Sequence, residues 1–308
     1  MAGVSGGPDS TLLIRCLAHL QGVLDIRLSI AHYDHGLRSR AEAQDDSDYV
    51  AGLAKDLDLP FTIGRGQVRK EARARRMSVE ETARRLRYAF LATEARRLKA
   101  QAVTVGHTSS DQAETVLLHI MRGSGLRGVA AMSPRSSWPT GEGPDLVRPL
   151  LDLSRDDSLR YCAEEVIKPR IDPSNSSLNA DRNRVRLQLM PELSKFNPRV
   201  ERALCRLATA ATIDSSYLDT AAEAIWPTLA REKDGVTTLD RPRLAKLEQA
   251  IAFRVLRLAA RRLAKPAIEL TTRHLAALAE TLHKQRASVS LPGALTATLE
   301  GDNLLITR

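Results

Sequence analysis

The sequence predicts an α/β protein with a doubly wound, mostly parallel sheet, followed by a smaller, mainly helical domain that ends in a short β element. Two observations predict the sheet: β-rich runs alternate with helical patterns over the first half of the chain, and polar or Gly-rich loops follow those runs. Beyond residue 141 the alternation stops, and helical periodicity dominates from 241 to about 284. The length of 308 residues agrees with about two domains.

The elements of the first half follow from periodicity and capping signals. Strands are predicted at residues 2–4, 26–33, near 61 and at 102–107, with helices at 9–21, about 41–57, 78 to about 99, and 111–122. The helix from 78 is indicated by Ser78 and Glu81, which have the spacing of a capping box.

Further signals divide the rest of the chain. Residues 148–151 are predicted to be short and extended, and Ser154 with Asp157 to cap another helix. Asn197 and Pro198 are suited to the start of a long helix. The predicted divisions are a first domain at 1–195, a helical connector at 196–232 and a C-terminal domain at 233–308, with the β element around 301–303.

Basic residues exceed acidic ones, and the excess is concentrated in one stretch. The chain has 46 Lys and Arg against 37 Asp and Glu, a net charge of +9. Residues 65–99 contain twelve of the basic side chains and four acidic ones. Such a stretch is typical of a surface that binds nucleic acid. A solvated helix face, or the arginine-rich composition of a GC-rich genome, is the alternative.

Composition also excludes several classes of protein. The sequence has no apolar run long enough to cross a bilayer and no secretory pattern, which predicts a soluble, cytoplasmic protein that does not bind membranes. Cys16, Cys162 and Cys205 are odd in number and widely separated, so they fit neither a disulfide framework nor a zinc site. We expect three buried thiols.

The segment SGGPDS, Ser5 to Ser10, lies between the first predicted strand and the first predicted helix. A helix N-terminus offers unpaired N–H groups and the positive end of the helix dipole, so it accepts an anion. Gly6 and Gly7 allow close approach of the backbone, and the two serine hydroxyls add donors. Asp9 would repel phosphate unless a hard cation such as Mg²⁺ lay between them. A Gly-Pro turn that merely caps a helix is the alternative.

Three more polar segments follow predicted strands or the helices after them. They are residues 32–38 (HYDHGLR), Gly106-His107 with residues 111–114 (DQAE), and residues 122–128 (RGSGLRG). Ligands of open α/β sheets bind on the side where the strands have their carboxyl ends. Each segment alone also fits a loop histidine, a charged first helical turn or a helix C-cap.

Together these motifs resemble those of the tRNA(Ile)-lysidine synthetases, which are N-type ATP pyrophosphatases with an adenine nucleotide alpha hydrolase-like fold. The matching segments are SGGPDS at 5–10, DHGLR at 34–38, GH…DQAET at 106–115, RGSGLRG at 122–128, RPLL…R at 148–155, DPSN at 172–175, RNRVR at 182–186 and LPG at 291–293. SGGxDS marks the superfamily, whereas DHGLR, DQAET and RGSGLRG are specific to the synthetases.

The resemblance implies ATP-dependent attachment of free L-lysine to the wobble cytidine of tRNA(Ile) with a CAU anticodon. The cytidine C2 oxygen would attack the α-phosphate of ATP and release pyrophosphate, and the lysine amine would then displace AMP. The implied ATP-binding residues are Ser5, Gly6, Gly7, Pro8, Asp9 and Ser10, with Ala31 on the edge of the second strand as a backbone contact for adenine. Asp9 and Asp111 are the implied Mg²⁺ ligands.

The resemblance also implies a catalytic set of Asp9, His107, Asp111 and Glu114. Within it, His107 and Glu114 would orient the lysine or remove its ammonium proton. The implied tRNA- and lysine-binding residues are Asp34, His35, Arg38, Arg122, Arg127, Arg182 and Arg186. The C-terminal domain would hold another part of the tRNA. The oligomeric state stays open, a homodimer included.

Two features depart from the family pattern. Ser110 stands where a second acidic residue usually precedes Asp111, which puts one metal or lysine contact in doubt. The first strand is short, so we expect the native polypeptide to begin upstream. The rival hypotheses are another ATP pyrophosphatase, such as a tRNA thiolase or an NAD or GMP synthetase, and a tRNA-binding relative without catalytic activity.

Overall fold

The computed structural model describes residues 1–139, 143–170, 178, 180–264, 270–284 and 286–308. The chain forms two compact units. We call Met1–Ser124 with Gly128–Thr209 the first unit, and Gly125–Arg127 with Ala210–Arg308 the second unit. The segment 172–175, which carries the DPSN motif, lies outside the described residues.

The first unit contains a six-stranded sheet. Its strands are β1 (Ala2–Gly3), β2 (Ile30–Asp34), β3 (Phe61–Arg65), β4 (Ala102–Val105), β5 (Arg135–Ser136) and β6 (Asp145–Val147), in the order β3-β2-β1-β4-β6-β5. All neighbours pair in parallel except β5 and β6, which are antiparallel. The predicted doubly wound, mostly parallel sheet is confirmed.

Helices lie on both faces of this sheet. The helices from residue 8 to residue 229, the last of which runs from the first unit into the second, are α1 (Pro8–His19), α2 (Gln21–Leu24), α3 (Arg40–Asp56), α4 (Val68–Arg75), α5 (Val79–Arg97), α6 (Ser109–Met121), α7 (Leu126–Val129), α8 (Arg155–Glu164), α9 (Asp181–Arg184), α10 (Met190–Phe196) and α11 (Val200–Leu229). Ile30 of β2 packs with α1 and α3, whereas its neighbour Ala31 packs with Tyr88 and Leu91 of α5. Successive strand residues point to opposite faces, so two apolar layers enclose the sheet.

Capping residues fix several helix starts as the sequence predicts. The Ser78 hydroxyl accepts the Glu81 amide (3.1 Å), and Ser154 and Asp157 form a complete capping box at α8. Asn197 Oδ1 accepts the Arg199 amide (2.9 Å), although helix α11 itself begins at Val200.

Two predicted strand positions are wrong in the first unit. Strand β2 begins at Ile30 rather than at 26, because its register with β1 and β3 starts at Ala2 and Phe61; just before it, the Ser29 carbonyl accepts the Ala2 amide (2.8 Å). Residues 148–151 are not extended; the strand β6 precedes them, and Leu150 lies in a turn.

The second unit contains a five-stranded antiparallel sheet, larger than the predicted short β element. Its strands are β7 (Ala230–Lys233), β8 (Val236–Asp240), β9 (Ser288–Leu291), β10 (Leu295–Glu300) and β11 (Asn303–Thr307), in the order β7-β8-β11-β10-β9. Helices α12 (Arg241–Ala245), α13 (Gln249–Leu263) and α14 (Thr272–Thr281) accompany it, and Leu239, Leu256, Leu275 and Ile306 share its apolar core. Strands β7 and β8 were not predicted from the sequence.

Among the described residues, no helix has the length and apolar composition that crossing a membrane requires.

Candidate active site

The SGGPDS segment forms a tight loop at the start of α1. The Ser10 hydroxyl accepts hydrogen bonds from the amides of Ser5 and Gly6 (both 3.2 Å) and donates to the Gly7 carbonyl (3.0 Å). Gly6 has a φ of 90°, in the region that favours glycine. A side chain at Gly6 would also press on Tyr49. The glycine is therefore required both by conformation and by space.

Strand β4 ends directly beside this loop. A Cβ atom on Gly106 would lie 3.0 Å from the carbonyl carbon and oxygen of Asp9. Glycine at this position lets the backbone after β4 approach the first turn of α1, which brings the predicted GH and SGGPDS motifs together. Ligands of open α/β sheets bind at the carboxyl ends of the strands, and β1 and β4 both end here.

Asp9 lies in the first turn of α1 and is mostly buried. Its Oδ2 atom accepts a hydrogen bond from the Arg155 guanidinium (3.2 Å), whereas Oδ1 is buried with no partner of standard geometry among the described residues. Burial raises the pKa of Asp9; the charge of Arg155 and the nearby Ser158 hydroxyl oppose that rise, and the charge of Asp111 adds to it. The Asp9 and Asp111 carboxylates are therefore close enough to interact.

Asp111 caps helix α6 and faces the site at the same time. Its Oδ2 atom accepts the Thr108 amide (3.0 Å), completing a capping box with the Thr108 hydroxyl. Its Oδ1 atom lies 3.4 Å from the Arg186 guanidinium and 3.6 Å from that of Arg182. The helix-cap interpretation of this acid is therefore confirmed, and its role as a site residue stays a prediction.

Glu114, one turn further along α6, is held by two arginines. Arg182 Nε donates to Oε2 (2.9 Å) and Arg186 Nε donates to Oε1 (2.5 Å). Arg186 lies in a π-helical segment, Val185–Leu189, which places it beside Arg182 on the same carboxylate. The structure thus brings together four predicted site residues: Asp111, Glu114, Arg182 and Arg186. We call them the acid–arginine cluster.

Charge compensation in this cluster is strong. Burial alone would raise the pKa of Asp111, but the charge of Arg182 and the Thr108 amide hold it below the ordinary value. Asp111 therefore stays ionised.

His107 follows β4 and stays neutral. Burial lowers its pKa to about 3; the charge of Asp111 opposes this, and Arg87, Arg148 and Arg182 add to it. A group with so low a pKa is a poor acceptor for an ammonium proton. Both carboxylate oxygens of Glu114 are already bonded to guanidinium groups. Of the two roles predicted for these residues, the geometry favours orientation over proton removal.

The predicted DHGLR residues start at Asp34, the last residue of β2, and continue into the loop after it. Asp34 Oδ1 accepts the Gly36 amide (2.8 Å), and Arg38 pairs with Asp46 (2.6 Å), which also pairs with Arg170 (2.7 Å). His35 makes an edge-to-face ring contact with Tyr33. The loop is thus rigidly held at the same edge of the sheet as SGGPDS.

Three predicted contacts are placed differently. Strand β2 is an inner strand rather than an edge strand, and the Ala31 carbonyl accepts the Val4 amide (3.0 Å), so a backbone contact of Ala31 with adenine stays a prediction. Arg122 is exposed at the C-cap of α6, and Arg127 belongs to the second unit, beside Asp219.

The structure places Arg155 and Glu201, for which no role was predicted, next to the site and connects them through Ser110. Arg155 pairs with Asp9, Ser110 accepts the Arg155 amide (3.1 Å), and Glu201 accepts the Ser110 hydroxyl (3.1 Å). Arg155 was within the matched RPLL…R segment, which could have indicated it. No local signal marks Glu201, which is 91 residues away from Ser110 in the chain.

Within the described ranges, no group of three or more His, Cys, Asp or Glu side chains could hold a metal ion alone. Mg²⁺, however, needs one or two carboxylates when phosphate oxygens and water complete its coordination. The buried Oδ1 atom of Asp9, which has no hydrogen-bond partner of standard geometry in the described part of the chain, and the nearby Asp111 carboxylate fit that requirement.

Comparisons with known proteins identify the family to which the SGGPDS loop and the parallel sheet belong. The family described as "PP-loop domain" matches residues 1–193. A solved U34-tRNA thiolase, NcsA, from Methanococcus maripaludis with its [4Fe-4S] cluster has a similar fold, with a TM-score of 0.56, 17% identity, and coverage of 68% of this chain and 70% of that one. The first unit is therefore a PP-loop domain.

Relatives define the family more closely. A tRNA(Ile)-lysidine synthase from Gloeobacter violaceus is 36% identical over 260 residues, which are 83% of this chain and 75% of that protein. One from Dehalococcoides mccartyi is 33% identical over 309 residues, with coverage of 99% and 65%. The chain belongs to the tRNA(Ile)-lysidine synthase family. It spans 58% of the relative from Clostridium acetobutylicum and 54% of that from Clostridioides difficile.

Proposed function

We propose that this protein uses ATP to attach lysine to the wobble cytidine of tRNA(Ile) with a CAU anticodon. The observation that carries the proposal is the convergence of the Asp9 loop and the acid–arginine cluster at the carboxyl ends of β1 and β4. The Asp9 loop is suited to bind a triphosphate, and the acid–arginine cluster is suited to bind an amino acid. Membership of the lysidine synthase family supports a reaction that uses both ligands.

The SGGPDS loop would bind the phosphates of ATP. The N-terminus of α1 supplies a positive dipole end and backbone amides, and the hydroxyls of Ser5 and Ser10 add donors. Gly6 and Gly7 allow the phosphates to approach the backbone, and Pro8 occupies the start of the helix, where no amide is needed.

Asp9 and Asp111 would hold Mg²⁺. A bound Mg²⁺ neutralises charge that develops on the phosphates when pyrophosphate leaves. The protein itself contributes the Asp9 Oδ1 atom, left free of hydrogen bonds of standard geometry among the described residues, and the Arg155 guanidinium, which holds the other oxygen in place.

The acid–arginine cluster would bind the free lysine. Asp111 and Glu114 offer carboxylates to an amino group, and Arg182 and Arg186 offer guanidinium groups to a carboxylate. An incoming amino acid can exchange these internal pairs for pairs with its own charges. His107, held neutral, would help to orient the lysine.

The tRNA would bind across the mouth of the site. Asp34 ends β2, His35 and Arg38 lie after it, and Arg122 is exposed at the end of α6. Helices α4 and α5 carry most of the basic residues 65–99. The wobble base lies in a single-stranded loop, so its presentation costs little unstacking energy. A tRNA substrate implies that the protein acts in the cytoplasm.

The test is incubation of the protein with ATP, radiolabelled lysine and a CAU-anticodon transcript. We expect label in the tRNA and release of pyrophosphate, and no label with a transcript whose wobble position is not cytidine. Asp9→Asn should lower pyrophosphate release by about a thousandfold while tRNA affinity is kept, since it removes charge next to the phosphates. Glu192→Gln, on the exposed face of α10, is the matched control.

Each rival predicts a different result. Tight tRNA binding with neither label nor pyrophosphate release would indicate a non-catalytic binder. Pyrophosphate release with sulfur rather than lysine entering the tRNA would indicate a thiolase. Equal activity of Asp9→Asn would remove Asp9 from the mechanism.

A further inference from the structure

Helix α11 begins against the first turn of α6. Glu201 Oε1 accepts hydrogen bonds from the hydroxyls of Ser109 (2.7 Å) and Ser110 (3.1 Å). One turn later, the Cys205 thiol donates to the Ser109 carbonyl (3.4 Å). A carboxylate from a distant part of the chain is thus fixed next to Asp111.

The same first turn of α6 holds the start of α8. The Ser110 hydroxyl accepts the Arg155 amide (3.1 Å), and the Ser109 amide donates to the Leu153 carbonyl (2.8 Å). The Arg155 guanidinium in turn reaches Asp9 Oδ2 (3.2 Å). Three polar contacts therefore connect Glu201 with Asp9 through Ser110 and Arg155.

The chemistry of serine makes this connection specific. A hydroxyl can donate to one group and accept from another, which is how Ser110 serves Glu201 and Arg155 at once. An aspartate at 110 accepts but cannot donate, and it would place two carboxylates face to face. Ser110, where the resemblance to the synthetases leads one to expect an acid, is therefore matched to the acid that α11 supplies.

We propose that Ser110 and Glu201 form one positioning pair, which fixes the start of α8 so that Arg155 orients Asp9 for ATP-dependent chemistry. This inference rests on the proposed function. If the pair acts in this way, the first turn of the long helix α11 helps to hold the SGGPDS loop in place.

The test is a double-mutant cycle on the full chain, read out as kcat and KM for ATP in pyrophosphate release. Ser110→Asp should lower kcat about tenfold or more, because the donated hydrogen bond is lost and like charges face each other. Glu201→Gln keeps an acceptor for both serines and should cost about threefold or less. The double variant should return to within about threefold of the wild type, since the glutamine amide can donate to Asp.

Recovery of kcat in the double variant is the result that a merely structural role of the two residues would not give. A double variant as slow as Ser110→Asp, or a Ser110→Asp variant as fast as the wild type, would overturn the pairing. Glu192→Gln combined with Ser110→Asp is the matched control, and it should give no rescue because Glu192 pairs with Lys195 instead. A thermal unfolding midpoint close to that of the wild type excludes loss of folding as the cause of a low kcat.

A wild-type protein that releases no pyrophosphate would refute the proposed function, not the pair. The same cycle is then read from the dissociation constant of ATP. Non-additive effects of the two substitutions on that constant would support the pair, and additive effects would overturn it.

Discussion

The two units differ in the charges that they bury. In the second unit, the buried Arg254 is satisfied by Asp219 (2.9 Å) and Ser215 (3.0 Å), and the surrounding core is apolar. In the first unit, the buried carboxylates of Asp111 and Glu114 lie together and share two arginines. Buried charges carry a large desolvation cost unless they are paired, and clusters of them are typical of ligand sites. The contrast supports the proposal that the ligand site lies in the first unit.

The chain offers a probe for each unit. It has two tryptophans: Trp138 packs in the core of the first unit, and Trp226 in that of the second. Single-tryptophan versions, made with Trp→Phe, follow the unfolding of each unit by fluorescence.

The largest expected effect on stability comes from Glu114→Ala. This change leaves Arg182 and Arg186 beside each other without the Glu114 carboxylate, and with only the longer contacts to Asp111 among those described. Removing one partner of a buried ion pair costs about 3–5 kcal/mol, and we expect the lower end because both arginines are partly exposed. Denaturant unfolding should show a larger shift of the Trp138 transition than of the Trp226 transition.

The control is Glu192→Ala, which breaks the exposed pair with Lys195 and should cost less than about 1 kcal/mol. Equal costs for the two variants would contradict a buried charge network in the first unit.

The second effect in size is that of Leu275→Ala in the second unit. Leu275 is fully buried in the apolar core, and truncation of such a leucine costs about 2–5 kcal/mol. The Trp226 transition should move more than the Trp138 transition, and pyrophosphate release under stabilising conditions should be retained. A loss of pyrophosphate release at full folding would show that the second unit takes part in the chemistry.

The sequence predicts these two units unequally well. In the first unit, local signals mark several site residues. Gly6 lies in a loop of small residues, Asp9 is an acidic residue in a loop suited to an anion, and Thr108 and Asp111 have the spacing of a helix cap. Strand β7 has the sequence Ala-Arg-Glu-Lys, which has neither β-branched residues nor alternation, so only its pairing with β8 makes it a strand. Glu201 is likewise visible only after folding, because its contacts with Ser109 and Ser110 join segments far apart in sequence.

A smaller effect is expected from Gly106→Ala. The new Cβ would lie 3.0 Å from the backbone of Asp9, so either β4 or the SGGPDS loop must shift by a few tenths of an ångström. Such a shift should lower kcat for pyrophosphate release about tenfold, with a small change in stability. Gly22→Ala, at a position with no atom near the new Cβ, is the control. Unchanged kcat in Gly106→Ala would show that the loop tolerates displacement.

The smallest effect concerns the thiol of Cys205, and it tests the contact between α11 and α6 directly. Burial, followed by the charges of Glu201 and Asp152, raises the pKa of Cys205 to about 11. In a Cys16→Ala/Cys162→Ala background, alkylation of this thiol should therefore accelerate as the pH rises towards 11, well above the range of a free cysteine. Glu201→Gln removes a negative charge that disfavours the thiolate, so the pKa should fall and alkylation at a fixed pH should become faster. A rate unchanged by Glu201→Gln, with Glu192→Gln as the reference, would place the Glu201 carboxylate away from the thiol and so away from the first turn of α6.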